Sequence, residues 1–442
     1  MGCYLSLPDA LGNVTKTTHE LVARHTVPID MTAAELDAID PLASFRERFV
    51  IDDSNLIYLD GNSLGRMPIA TAKALKDAID KQWGDRLIRS WGEGWYDLPQ
   101  RIGAKIAQLI GAKDKEVICC DSTSVNFYKL VMGALDRQKG RTKIVTDDLN
   151  FPSDLYLLQG CAKQHGDVEL VVLRSPDGIH LPAELIESVL TEDTAILTLS
   201  HVSFKSGFMH DMARLTKAAQ DEGALVLWDL SHSVGAVPID LGTADLAVGC
   251  TYKYLNGGPG SPAFLYVRED LQGDFANPIW GWFGQRHPFD FKLDYQPALG
   301  LDRMLTGTPP ILSMIGIEAG IDLVLEAGIE RLRAKSILQT ERLINLIDEH
   351  LIPYGADLRS PRDPACRGSH VAVSHPDGHA IDQALIRLKN VIPDFRAPDN
   401  IRLGVAPLYT SFQELDWAIE AMKEVLESGV YFEYQSETQG VT

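Results

Sequence analysis

Residues 224–260 read ALVLWDLSHSVGAVPIDLGTADLAVGCTYKYLNGGPG. One apolar run ends in Asp229, the next leads into Tyr252, Lys253 and Tyr254, and a glycine-rich turn comes after them. A charged group is costly to bury in apolar surroundings unless it is paired. Lys253 therefore either reaches back to solvent or is put to chemical use, and a desolvated lysine, its proton affinity lowered, is a ready nucleophile or base. Asp229 directly follows a strand, where an unpaired carboxylate would be penalised in the same way.

Similar short apolar runs extend outward in both directions, as EVICCD, TKIVTDD, VELVVLRS, AILTLSHVSF and AFLYVRE, between about residues 117 and 270. Stretches with helical patterning, such as DMARLTKAAQDEG, separate them. This alternation predicts an α/β fold in which a largely parallel sheet is covered by helices on both faces. Beyond about residue 325 come a long charged helix, RLRAKSILQTERLINLIDEHL, then GSHVAVSHP, another helix, NIRLGVAP, and a last helix through ELDWAIEAMKEVLES. In that last helix Leu415, Ala418, Ile419, Met422 and Leu426 keep a spacing of three or four, which makes one face apolar. The expected organisation is an N-terminal segment, 1–60, that joins the small domain, a large domain, 61–325, and a small α+β domain, 326–442.

Composition narrows the function classes. Of the 442 residues 45% are hydrophobic and 23% charged, the balance of an ordinary globular protein. No uninterrupted apolar run reaches the roughly 18 residues of a membrane span. With 41 Lys+Arg against 61 Asp+Glu the net charge is −20, which repels phosphate backbones and argues against nucleic acid as the main partner. The six cysteines, Cys3, Cys119, Cys120, Cys161, Cys250 and Cys366, form no CxxC pair and no zinc-like spacing. A reduced, cytoplasmic setting without a metal site fits them best. The opening MGCYLS matches an N-myristoylation pattern, with Cys3 as a second acylation site, but so short a pattern also arises by chance.

In open parallel sheets ligands collect beyond the carboxyl ends of the strands. After EVICCD comes STSVN, opening a helical pattern; its hydroxyls serve as an N-cap or, at Thr123 and Ser124, as a phosphate seat. After TKIVTDD comes NFPSD, where Phe151 either packs into the core or stacks on a flat ligand, and Asp154 either caps a turn or hydrogen-bonds that ligand. His232 taken alone is more often a satisfied structural histidine than a functional one. Asp229 followed one strand later by Lys253 before a glycine turn is what pyridoxal phosphate chemistry requires: the lysine forms a Schiff base and the carboxylate keeps the pyridine nitrogen protonated.

These residues resemble the aspartate aminotransferase-like superfamily of pyridoxal phosphate enzymes, fold type I, and within it the kynureninase family. The likeness is carried by YLDGNSLGRMP, SWGEGWYDLPQRIG, DSTSVNFYKL, NFPSD, HVSFKSGFMHD, WDLSHSVGAVPIDL, CTYKYLNGGPGSPAF, GWFG, GTPPI, RGSHV and IRLGVAPLYTSF, in that order. It implies a mostly parallel seven-stranded sheet and a homodimer with shared active sites. Lys253 would carry the cofactor, Asp229 would pair with its ring nitrogen with Asp154 close by, and Phe151 would stack on the ring. Thr123, Ser124 and Tyr252 would bind the phosphate, joined by Trp282 and Thr308 from the neighbouring subunit. Ser206 and His232 match further cofactor-contacting positions, and Arg402 would grip the substrate α-carboxylate.

Enzymes of this family hydrolyse the Cβ–Cγ bond of L-kynurenine, or of its 3-hydroxy derivative, to anthranilate or 3-hydroxyanthranilate and L-alanine, in tryptophan degradation and NAD biosynthesis. Members that prefer the hydroxylated substrate tend to carry asparagine where this chain has Thr308, so kynurenine is the expected substrate. Tyr252 is either a phosphate anchor or a proton shuttle. Trp91 and Trp95 either line the aromatic pocket or pack in the core. Trp280 stands where the family has smaller residues. The nearest rival on the same fold is a cysteine desulfurase or selenocysteine lyase, which needs a reactive cysteine in a mobile loop of the C-terminal half. Cys366 is the candidate, but its CRGSH surroundings match the kynureninase pattern.

Overall fold

The computed structural model describes residues 31–436. The acylation pattern at the N-terminus, with Cys3, lies outside them. The strands are β1 (Ile57–Tyr58), β2 (Val117–Cys119), β3 (Lys143–Asp147), β4 (Glu169–Leu173), β5 (Thr194–Ser200), β6 (Leu225–Asp229), β7 (Leu246–Gly249), β8 (Phe264–Val267), β9 (Asp357–Leu358), β10 (His370–Ser374), β11 (Val391–Ile392), β12 (Asp394–Arg396) and β13 (Asn400–Gly404).

Seven of these form one sheet in the order β2-β8-β7-β6-β5-β3-β4. The pairs β3–β4, β3–β5, β5–β6 and β6–β7 are parallel, while β8 runs antiparallel to both β2 and β7. The mostly parallel seven-stranded sheet of the expected α/β fold is therefore present. Strands β2, β5, β6, β7 and β8 are buried along their whole length. That is why they read as continuous apolar runs rather than alternating ones: helices cover both faces, and two separate cores form. Val145, Leu197, Val226 and Ala247 face one core, and Ile144, Ile196, Leu227 and Val248 the other.

A second, antiparallel sheet has the order β12-β13-β10-β9. Its core joins Val371, Ile401 and Leu403 to Leu343 and Ile347 of the helix Ile329–His350, and to Leu415, Ala418, Ile419, Met422 and Leu426 of the helix Phe412–Ser428. The apolar stripe read in the last helix is buried as expected. That helix starts at Ser411, whose side chain and that of Glu414 cap each other's backbone. The N-terminal segment packs on the same core: β1 pairs in parallel with β11, and Ile57 and Leu59 are buried there. Asp60 then bridges to Gly404, which carries the adjoining GNSLG loop towards the carboxyl edge of the large sheet.

Candidate active site

Strands β3, β6 and β7 end on one edge of the sheet, and the chain beyond each supplies a piece of one cavity of about 190 Å³. Lys253 lies 253 − 249 = 4 residues past the end of β7 rather than at the strand end. The strand stops because its neighbours take over its polar groups: the Cys250 amide donates to Ser231 Oγ at 3.3 Å, and the Thr251 hydroxyl contacts Ser261 Oγ at 2.7 Å and the Pro262 carbonyl at 2.6 Å. The bent segment is backed by the GNSLG loop, where the Gly65 amide donates to the Tyr252 carbonyl at 2.8 Å. A Cβ on Gly65 would stand 2.3 Å from the Lys253 carbonyl oxygen. In the turn after Lys253, Gly258 and Gly260 hold positive φ, whereas a Cβ on Gly257 would press to 2.8 Å of the Thr251 carbonyl.

Lys253 Nζ sits 3.2 Å from His232 Nε2 and 3.4 Å from Nδ1, so the ammonium lies against the ring. Burial, and then the Lys253 charge, drive His232 well below the ordinary histidine range and keep it neutral. Burial also lowers Lys253, against the opposing pull of Cys250 and Asp229. Asp229 closes β6 and accepts the Ser231 amide at 2.9 Å. Asp154 faces it: burial, then the Asp229 charge, raise Asp154 far above the usual carboxylate range, and its buried Oδ2 receives no hydrogen bond from another of the described residues.

Two helix starts also line the cavity. Thr123 and Ser124 open the helix Thr123–Arg137, capped by Ser122 accepting from the Val125 amide at 3.3 Å. Ser153 lies in the first turn of the helix Pro152–His165, and its hydroxyl is 3.0 Å from that of Ser124. Two positive helix ends and three hydroxyls thus converge on one spot, a seat for an anion. Phe151, the residue preceding the second helix, is 43% exposed, lines the cavity and meets Phe204 edge-on at 5.2 Å. This donor set fits pyridoxal phosphate: hydroxyls and helix ends for the phosphate, an aromatic face for the ring, an orphaned carboxyl beside a carboxylate for the ring nitrogen, and an amine for the aldehyde.

The cavity brings together Thr123, Ser124, Phe151, Asp154, Asp229, His232, Tyr252, Lys253 and Arg402. It does not bring in Ser206, which was expected there, nor Trp282 and Thr308, which were expected to complete a neighbouring subunit's cavity. The Ser206 hydroxyl is buried elsewhere, donating to the Ile179 carbonyl at 2.6 Å and accepting the Phe208 amide at 3.2 Å, so it ties two loops together. Trp282 and Thr308 are exposed and line no part of this protomer's cavity. Trp91 packs in the interior against Trp95 and Phe283, and Trp95 donates to Gln82. Trp280 is exposed and stacks on Tyr295 at 4.9 Å, away from the cavity. Ser63, Ser153, Phe204, Ser231 and Arg396 also line the cavity, and sequence reasoning missed them. The signal for Arg396 was the alternation Asp394, Phe395, Arg396, whose charged face sets Asp394 directly opposite Arg402 across the hairpin.

A parallel sheet with a lysine beyond one strand, an acid closing the next and a hydroxyl-lined anion seat defines the fold type I class of pyridoxal phosphate enzymes. In keeping with that class, the structure superposes on the cysteine desulfurase of Thermococcus onnurineus NA1 with a TM-score of 0.76, covering 87% of this chain and 98% of that one at 22% identity. Residues 332–422 match the family described as the kynureninase C-terminal domain. The chain is 43% identical to the kynureninase of Pseudomonas fluorescens over 409 residues, 90% of this chain and 96% of that protein. It is 42% identical to the kynureninase of Burkholderia mallei (strain SAVP1) over 404 residues, 90% and 95% of the two chains. The chain belongs to the kynureninase family.

Proposed function

We propose that this enzyme hydrolyses the Cβ–Cγ bond of L-kynurenine to anthranilate and L-alanine with pyridoxal phosphate as cofactor. The observation that carries this reading is one cavity lined together by Lys253, the Asp154–Asp229 pair, the hydroxyls of the anion seat and the guanidiniums of Arg396 and Arg402. Bound pyridoxal phosphate supplies an electron-accepting ring that stabilises negative charge on the substrate's Cα.

The side chains do the rest. Thr123 and Ser124, with Ser153, hold the phosphate, and Phe151 flanks the ring. Asp229 keeps a proton on the ring nitrogen, and Asp154 stays protonated beside it. Lys253 would hold the cofactor's aldehyde, and its amine when free would take the proton from the substrate's Cα, a role that desolvation prepares by lowering its proton affinity. Tyr252 delivers a proton to the three-carbon unit once anthranilate departs. Cys250, then burial and Asp229, raise its phenol above the ordinary range and so hold that proton on it.

A homodimer is part of the proposal, with Trp282 and Thr308 completing the partner's cavity. Thr308 in place of asparagine supports kynurenine over 3-hydroxykynurenine. Among the described residues no helix is long and apolar enough to cross a membrane, and Cys119, Cys120, Cys161 and Cys250 form no disulfide, in keeping with a cytoplasmic enzyme. Steady-state turnover of both substrates, monitored by anthranilate fluorescence, tests the reading; a higher kcat/KM for 3-hydroxykynurenine would refute the preference. The desulfurase rival requires Cys366, so Cys366→Ala is expected to leave kynurenine turnover intact.

A further inference from the structure

Arg402, the group assigned to the substrate α-carboxylate, is fully buried and already engaged through all three of its nitrogens. Nε donates to Asp394 Oδ2 at 2.5 Å, Nη2 to the same oxygen and to Ser63 Oγ at 2.9 Å, and Nη1 to the Phe204 carbonyl. Arg396 lines the same cavity and is more open: its side chain is 31% exposed against 1% for Arg402. Its Nη1 lies 2.6 Å from Asp394 Oδ1 and donates to the Phe395 carbonyl at 3.0 Å, and its Nη2 donates to Ser63 Oγ at 3.3 Å.

The hairpin explains this arrangement. Asp394 and Arg396 are two apart on β12 and so share a face, and Asp394 stands directly across from Arg402 on β13. One carboxylate and one serine hydroxyl are thereby shared by two guanidiniums. Asp394 balances one positive charge and leaves one in excess, facing the cavity, which suits a single carboxylate. Two further acids lie near the pair, raised by burial to about 6 at Asp60 and about 7 at Asp382, so Asp60 is mostly ionised at neutral pH and offsets part of that excess. Among the described residues neither accepts a hydrogen bond from Arg396 or Arg402, which leaves the donors of Arg396 facing the cavity.

We propose that Arg396 is a second substrate-binding guanidinium, contacting the α-carboxylate of the amino acid from the open side while Arg402 and Asp394 brace it from behind. This rests on the kynureninase reading of the same site. Of the two guanidiniums Arg396 has the more donors left to offer: its Nε carries no hydrogen bond to another of the described residues.

The test uses the holoenzyme and two amines that differ only in the carboxylate, L-alanine and ethylamine, each titrated by the change in the cofactor's visible absorbance. Losing one charge-assisted contact in Arg396→Gln is expected to weaken L-alanine by about tenfold or more and ethylamine by less than about twofold. Arg396→Lys, which keeps the charge but loses the planar fork, is expected to fall between. With kynurenine, KM should rise about tenfold while kcat falls less than about threefold. Equal weakening of both amines, or of neither, in the variants that fold and load cofactor would overturn the assignment. Arg396→Lys alone decides if the glutamine variant does not fold, with any selective loss of alanine affinity supporting it and none refuting it. Failure of the kynureninase reading is separate: the wild type would then bind alanine normally yet not turn over kynurenine.

Discussion

At the scale of single residues the site is governed by desolvation. Tyr252 sits where the phenol keeps its proton, because Cys250, burial and Asp229 all oppose ionisation. A group held in its acid form beside Lys253, the proposed base, is suited to donate rather than accept. Tyr252→Phe is therefore expected to bind cofactor within about threefold of wild type while kcat drops on the order of a hundredfold, the usual loss for a general acid; cofactor titration and steady-state kinetics read the two effects apart. Asp382 shows the same desolvation without a catalytic task. Among the described residues its buried Oδ1 has no hydrogen-bond partner and its other oxygen accepts only from Gln383 at 3.2 Å, and burial raises it to about 7. An acid raised in the folded state binds its proton more tightly than in the unfolded chain. Its cost to stability is therefore small near pH 4, grows as pH rises, and levels off above about 7. Asp382→Asn should raise thermal stability at pH 8 by roughly 2–3 kcal/mol more than at pH 5. An equal gain at both pH values in calorimetry would show that titration is not the cause.

At the scale of elements, the chemistry lies where strands stop and helices start, and it depends on close backbone approach. The helix Ile311–Ala327 presses on the segment after Lys253: a Cβ on Gly320 would stand 2.0 Å from the Leu255 carbonyl oxygen and 3.1 Å from that of Asn256. Backbone has no rotamer with which to yield, so Gly320→Ala must shift the helix or the lysine segment. A loss of about 2–3 kcal/mol is expected, with weaker cofactor binding, in thermal melts with and without cofactor. Much of this level was legible in the sequence. The buried strands announce themselves as continuous apolar runs, and Asp229, Phe151, Asp154, Thr123 and Ser124 stand at or just past the ends of those runs, where a ligand site is expected. Arg396 and Ser63 carry no such mark. Ser63 meets Arg402 across 339 positions of sequence, and the pairing exists only once β1 has docked beside β11. Ser206 misled for the complementary reason: its neighbours match a cofactor-contacting pattern, but the Ile179 carbonyl, brought in by a different loop, takes its hydroxyl.

At the scale of the whole molecule, one surface is out of keeping with a lone chain. Trp280, Phe289, Phe291 and Leu293 stand exposed along the segment that also carries Trp282, and Leu293 has no cover at all. Exposed apolar groups gathered in this way mark contact sites rather than free surface. The segment is held firmly at its base. A Cβ on Gly281 would stand 2.1 Å from the Thr306 carbonyl, and the Thr306 hydroxyl bonds Asp121 at 3.2 Å, which in turn pairs with the buried Lys129 at 2.6 Å beside the phosphate seat. Trp282 and Thr308, one and two residues beyond these contacts, line no part of this chain's own cavity, as the proposed homodimer requires. Subunit mixing separates service in trans from service in cis. Lys253→Ala lacks its own amine but keeps an intact Trp282, whereas Trp282→Ala keeps the lysine and lacks the tryptophan its partner needs. Either homodimer should have little activity. In random exchange about half of the dimers are mixed, and each has one cavity with both Lys253 and a partner Trp282, so activity should recover to about a quarter of wild type. If Trp282 acted within its own chain, no cavity in the mixed dimer would hold both groups, and mixing would restore nothing.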